Sequence, residues 1–127
     1  MPARSPEELD RLFASIMNAG DLDGLVDLYE PQATLTPQPG TVVMGARAIR
    51  EALGGFMAAK PKITLTSKVL AQTGDIALTT SKWDLSGTGA DGKPMKMSGQ
   101  GVEVARRQPD GTWRFVIDSP WGLEWDG

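Results

Sequence analysis

The sequence contains no cysteine and no histidine. The first absence excludes disulfides, thiolate nucleophiles and cysteine-bearing zinc or iron–sulfur sites. The second excludes Ser-His-Asp and Cys-His machinery, imidazole metal ligands and the one side chain whose ordinary pKa lies near neutrality. Acid–base work therefore falls to Asp, Glu, Lys, water or the single tyrosine, Tyr29. A basic surface is missing too. Thirteen Lys and Arg stand against sixteen Asp and Glu, for a net charge of -3. Arg106-Arg107 alone is too little cationic charge for a nucleic-acid partner. No apolar run approaches membrane-spanning length, and Met1-Pro2-Ala3-Arg4-Ser5-Pro6 lacks the apolar core of a signal peptide, so the expectation is a cytoplasmic protein without a membrane partner. No glycine-rich phosphate loop follows a strand and opens a helix, which leaves nucleotide cofactors without support. Asp21 and Asp23 resemble the start of a calcium loop but lack its later ligands, and a helix cap explains Asp21 better. Neither a cofactor nor a metal is expected.

What is present fits one domain over residues 1–127, with 40% hydrophobic and 23% charged residues and a core that buries roughly two-thirds of the unfolded surface. Ser5-Pro6-Glu7-Glu8 is a capping box with proline at the first helical position. Leu9, Leu12, Phe13, Ile16 and Met17 then form one apolar stripe, with Glu7, Asp10 and Arg11 outside it. Asn18-Ala19-Gly20 ends that helix. Asp21 caps a second, shorter helix reaching Tyr29, and Pro31 blocks its continuation. Ala33–Thr36 and Thr41–Met44 read as a hairpin around Pro37-Gln38-Pro39-Gly40. A third helix spans Ala46–Ala59, weakened at Gly54-Gly55 by roughly 1 kcal/mol per glycine. The remainder alternates or is β-branched over Ile63–Leu70, Asp75–Leu85, Met95–Arg107 and Trp113–Ser119, four antiparallel strands joined by hairpins. The order α-α-β-β-α-β-β-β-β defines an α+β fold in which a strongly curved, mostly antiparallel sheet wraps around three helices. Several strands carry apolar residues on both faces, so that one face can line a cavity and the other can meet a partner subunit.

Asp118 interrupts an apolar strand between Phe115-Val116-Ile117 and Ser119-Pro120-Trp121. It is either a strand-end carboxyl capping the next turn or paired with an arginine such as Arg47 or Arg114, or it is a pocket acid–base whose pKa burial pushes upward. Tyr29 either packs in the core or donates a hydrogen bond to a ligand oxygen. Glu103, between Val102 and Val104, is a second pocket carboxyl or an outward group paired with a cation. Lys82 and Asp84 face opposite to Trp83, and an exposed ion pair is the expectation for them. Trp83, Phe13, Met17, Phe56 and Trp121 are the candidate walls of a site for a small apolar molecule, and core filling is the other reading. Trp113 is expected in the core, whereas Trp121 and Trp125 lie on a tail that can cover the pocket mouth or a dimer edge.

Three phrases carry a family resemblance: Ala19-Gly20-Asp21-Leu22-Asp23-Gly24-Leu25 with Leu28-Tyr29, Gly45-Ala46-Arg47-Ala48-Ile49-Arg50, and Pro109-Asp110-Gly111-Thr112-Trp113-Arg114. With the element order they resemble the SnoaL-like branch of the superfamily that includes nuclear transport factor 2 and ketosteroid isomerase. The resemblance implies a cone-shaped barrel, a deep apolar pocket between helices and sheet, and a homodimer through the sheet's outer face. It also implies an acid–base aspartate on the final strand, at Asp118, in an isomerase, cyclase or hydrolase. The alternative is a non-catalytic ligand-binding or dimerisation module, since this fold hosts both. The isomerases' donor tyrosine on the first helix and base just after the second have no counterpart here, where Phe13, Met17, Thr34, Thr36 and Gln38 stand. Lys82, Asp84 and Asp118 resemble the cation and two aspartates of limonene-epoxide-hydrolase-type members, with lysine in place of arginine.

Overall fold

A computed structural model describes residues 2–122. Helix α1 (Pro6–Asn18) starts at Ser5, whose hydroxyl accepts from the Glu8 amide at 3.2 Å. The Glu8 carboxylate reaches back past the cap and accepts from the Arg4 amide at 3.0 Å, so two otherwise unpaired donors are satisfied. At the other end Asn18 ties α1 to the sheet. Its amide donates to the Ile63 carbonyl at 2.9 Å and its oxygen accepts from the Ile63 amide at 2.7 Å, which mimics a ladder rung.

Helix α2 (Leu22–Val26) is capped by Asp21, whose side chain accepts from the Gly24 amide. It is shorter than the sequence suggests. Tyr29 is not at its end but is the first residue of strand β1 (Tyr29–Gln38), which runs straight through Pro31. Pro31 cannot extend a helix but is compatible with a strand position that needs no N–H. Strand β2 (Thr41–Met44) closes the hairpin as read, and α3 (Ala46–Met57) continues through Gly54-Gly55. The meander is β3 (Lys62–Thr73), β4 (Ile76–Thr88), β5 (Pro94–Arg107) and β6 (Trp113–Ser119).

These strands form one six-stranded sheet in the order β2-β1-β6-β5-β4-β3. All neighbours are antiparallel except β1 and β6, which run parallel. The sheet is open at β2 and β3, so the cone does not close into a barrel. Its inner face carries Ile63, Ala77, Trp83, Leu85, Ala105 and Phe115, all buried with Leu9, Leu25, Ile49 and Leu53 of the helices. Trp113 is buried as expected.

One irregularity decides which way the last strand presents its acid. Ala105 pairs with Phe115, yet the next residue back on β5, Val104, pairs with Ile117, so β6 carries one extra residue there. Strict alternation from Trp113 and Phe115 would turn Ile117 inward and Asp118 outward. The bulge reverses that parity: Ile117 is 46% exposed and Asp118 only 7%.

Candidate functional site

The bulge places Asp118 directly opposite Glu103 on β5, and Glu103 is in turn opposite Thr79 on β4. Two carboxyls thus sit on adjacent antiparallel strands on the same inner face, where paired Cβ atoms lie roughly 5 Å apart and two negative charges repel. Both are buried. Each is held by hydroxyl groups rather than by a cation. The Tyr29 hydroxyl donates to Asp118 Oδ2 at 2.5 Å. The Thr79 and Ser81 hydroxyls donate to Glu103 Oε1 and Oε2, each at 2.8 Å. Glu103 is therefore the inward, pocket-side alternative, while Val102 and Val104 lie on the opposite face.

A third carboxyl comes from α1. Asp10, read from the sequence as lying outside the apolar stripe, is 2% exposed and faces the same cavity. Positions 10, 13 and 17 follow helical spacing, so Asp10 shares a face with Phe13 and Met17. That spacing was the available signal, and the charge of Asp10 concealed it. Its Oδ2 is buried and has no hydrogen-bond partner among the described residues.

The three acids share a cause for their altered titration. Burial pushes Glu103 up to about 8, with the charges of Asp118 and Asp10 adding to it and the Ser81 and Thr79 hydroxyls opposing it. Asp10 is pushed up to about 7 by burial and then by the Asp118 charge, with the Ser67 side chain offsetting part. Asp118 rises to about 6 through burial, restrained by the hydrogen bond from Tyr29. Tyr29 itself is pushed well above its ordinary value by burial and by the neighbouring Asp118 charge, so it remains a donor at neutral pH. Among groups this close, protons are shared.

The cavity over this cluster has a volume of about 70 Å³ and opens to solvent at its mouth. Trp83, Phe13, Met17, Phe56 and Trp121 all contribute to its wall. Trp83 donates its indole N–H to the Pro120 carbonyl at 2.7 Å, and Trp121 donates to the Pro37 carbonyl at 3.0 Å. The two rings meet edge to face with centroids 5.2 Å apart. Their polar atoms are thus spent on backbone and their apolar surfaces are left for the wall. Trp125 lies outside the described residues.

Neither arginine considered for Asp118 is its partner: Arg114 lies 3.8 Å from Asp27, and Arg47 is exposed. Lys82 and Asp84 are exposed on the outer face, away from the cavity. Among the described residues no group of His, Cys, Asp or Glu has a geometry that could hold a metal ion, and no helix is long and apolar enough to cross a membrane.

Gly101 leaves room for the side chains that hold Glu103 by having none of its own. A Cβ there would lie 2.8 Å from Glu103 Oε2, 2.9 Å from Ser81 Oγ and 3.0 Å from the Pro120 Cα. Backbone at Pro120 cannot yield, so Gly101→Ala is expected to cost about 2 kcal/mol of stability through overpacking, measurable by urea denaturation.

Residues 9–116 match the SnoaL-like domain model, and the chain belongs to that family. The match ends before Asp118, so it conveys nothing about that carboxyl. Solved structures are similar in fold. A nuclear transport factor 2-like superfamily protein from Salmonella enterica serovar Typhimurium has a TM-score of 0.80 at 19% identity, covering 95% of this chain and 90% of its own. A ketosteroid isomerase-like protein from Erwinia carotovora atroseptica has a TM-score of 0.76 at 18% identity, covering 88% of each chain. A nuclear transport factor 2-like protein with a cystatin-like fold from Novosphingobium aromaticivorans has a TM-score of 0.75 at 20% identity, covering 95% and 81%. A search of curated proteins finds no match.

Proposed function

We propose that this SnoaL-like protein is an enzyme that moves protons on a small apolar carbonyl or epoxide compound, with Asp118 as the acid–base. The observation that carries the reading is the Tyr29–Asp118 hydrogen bond inside an apolar cavity that holds two more carboxyls. A binding or dimerisation module gains nothing from such acids, because apolar residues of similar volume would make it more stable. Catalysis does gain, since proton transfer is fastest when the group's pKa is close to the working pH.

Two of the three carboxyls, Asp118 and Glu103, divide the work. In this proposal Asp118, which accepts from Tyr29, is the base, and Glu103 across the strand pair is the carboxyl that holds a proton and donates it. With a ketone, Asp118 takes the proton from the carbon next to the carbonyl, and the charge growing on the oxygen meets the Glu103 O–H. With an epoxide, Asp118 takes a proton from the attacking water and Glu103 protonates the opening oxygen. The aromatic wall of Trp83, Phe13 and Phe56 with Met17 and Trp121 holds the apolar body. The test uses 2-tetralone in D2O followed by NMR and styrene oxide followed by chromatography. Wild type is expected to accelerate α-hydrogen exchange or ring opening above buffer, and Asp118→Asn to return it to background. No acceleration with either probe would contradict the reading.

We further propose that the protein forms a homodimer through the outer face of its sheet. One cross-strand row on that face runs Ala71, Leu78, Val104, Ile117, Thr34 and Met44, touching all six strands. Leu78, Ile117 and Met44 in it are 36%, 46% and 65% exposed. A mostly apolar row of this kind, interrupted only by Thr34, can meet its own copy about a two-fold axis. Light scattering is expected to give twice the chain mass for wild type and the chain mass for the Leu78→Glu, Ile117→Glu double variant. A monomeric wild type would remove the proposal.

A further inference from the structure

Each carboxyl in the cavity has a different degree of satisfaction. Asp118 receives the Tyr29 hydroxyl, and Glu103 receives one hydroxyl on each oxygen. Asp10 Oδ2 is buried without a hydrogen-bond partner among the described residues, and Asp10 lines the cavity. The groups that face it are Asp118 from β6, Glu103 from β5, Ser67 from β3 and Glu7 from one turn earlier on its own helix, with Tyr29 from β1 beyond Asp118. None of these is a cation. No Lys or Arg lines the cavity, and Arg50, Arg106, Arg107 and Arg114 are engaged at the surface with Asp23, Glu30, Asp75 and Asp27.

A buried carboxylate needs a proton or a positive charge beside it. Among the described residues none places a positive charge here, so the cluster keeps protons. A ligand that brings its own cation can replace one of them. An anionic ligand adds repulsion in a medium where charge is poorly screened, and a neutral alcohol supplies only one hydrogen bond and no charge.

We propose that the cavity selects small hydrophobic amines, with the ammonium group seated on Asp10 Oδ2 and the apolar body against Phe13, Phe56 and Trp83. The inference rests on the reading that the cavity binds a small apolar molecule, and not on the proton-transfer step. On binding, the ammonium nitrogen donates to Asp10, and a proton held by the cluster leaves to solvent; no bond of the ligand is made or broken. Amine affinity therefore rises with pH while the acids titrate, because an alkylammonium stays charged to about pH 10.

The test is calorimetric titration of wild type and Asp10→Asn with 3-phenylpropylamine, 3-phenylpropanol and 3-phenylpropanoate. Titrations run at pH 6, 7 and 8, in two buffers of different ionisation enthalpy at each pH. The expected result is amine binding about tenfold or more tighter than the alcohol, undetectable carboxylate, proton release on amine binding, and affinity increasing from pH 6 to 8. Asp10→Asn is expected to bring the amine and alcohol affinities together, so that their ratio falls to about one. Proton release by wild type decides the matter if that variant does not fold. Alcohol binding as tightly as amine overturns this inference and leaves the apolar-pocket reading standing. Failure of all three ligands to bind overturns both. Amine binding without proton release, or an undiminished preference in Asp10→Asn, removes Asp10 as the seat.

Discussion

Raising the pH from 4.5 to 8 is expected to lower the unfolding free energy of this protein by several kcal/mol. The direction follows from three acids whose titration in the folded chain lies above that of the free side chains. Asp10 and Asp118 move from 3.8 to about 7 and about 6, and Glu103 from 4.5 to about 8. Between those limits the folded chain binds more protons than the unfolded one. The stabilisation is complete below the unfolded values and is lost as pH rises through the folded ones. Asp110 contributes with the opposite sign. Its carboxylate accepts from the Thr112 hydroxyl and amide, which lowers its pKa, so its contribution is present above the unfolded value and lost as pH falls. Stability should accordingly peak near pH 4–5, below the usual range for a domain. Urea titrations at fixed protein concentration measure this directly. Asp10→Asn and Glu103→Gln should each flatten the curve and stabilise the protein at pH 8, because each removes a charge the fold does not compensate. A profile that stays level or climbs from pH 4.5 to 8 would mean that the acids are compensated in solution.

The second large effect is on proton transfer. Asp118→Asn keeps the shape of the side chain and its capacity to accept from Tyr29, but it removes the base. Loss of a positioned general base is expected to reduce α-hydrogen exchange or epoxide opening by about 10³-fold. Tyr29→Phe should behave differently. It leaves the carboxylate in place but deletes the 2.5 Å hydrogen bond that holds its pKa down. Exchange at neutral pH should fall by about tenfold, and the acidic limb of the pH–rate profile, which reports protonation of the base, should move to higher pH. A residue needed only for packing would change stability without moving the pH profile. If Asp118→Asn retains wild-type exchange, Asp118 is not the base.

The helix order, the hairpin and the meander were legible because each rests on local chemistry: a Ser-Pro-Glu-Glu cap, Pro-Gly turns and period-two alternation. The orientation of the acids was not local. Asp118 faces the cavity only because β6 carries a bulge, and no composition of Phe115-Val116-Ile117 announces an inserted residue. Glu103 could be placed on the face opposite Val102 and Val104, but which face is inner depends on where the helices pack. Asp10 was legible and was set aside, since a charged residue at the right helical spacing is usually solvated. Tyr29 joined β1 rather than α2 because the parallel pairing with β6, through Phe115, decides its conformation over the helical spacing of its neighbours. Its contact with Asp118 spans 89 residues of sequence and has no signature in either segment.

The most direct measurement is a carbon-detected NMR titration of the Asp and Glu carboxyl groups in wild type, assigned through Asp10→Asn, Glu103→Gln and Asp118→Asn. The account predicts that the cluster titrates with midpoints near 6 to 8 and still holds at least one proton at pH 7. Midpoints for all three below about 4.5, the ordinary carboxyl range, would show that water or a cation compensates these acids and would contradict a proton-sharing catalytic cluster.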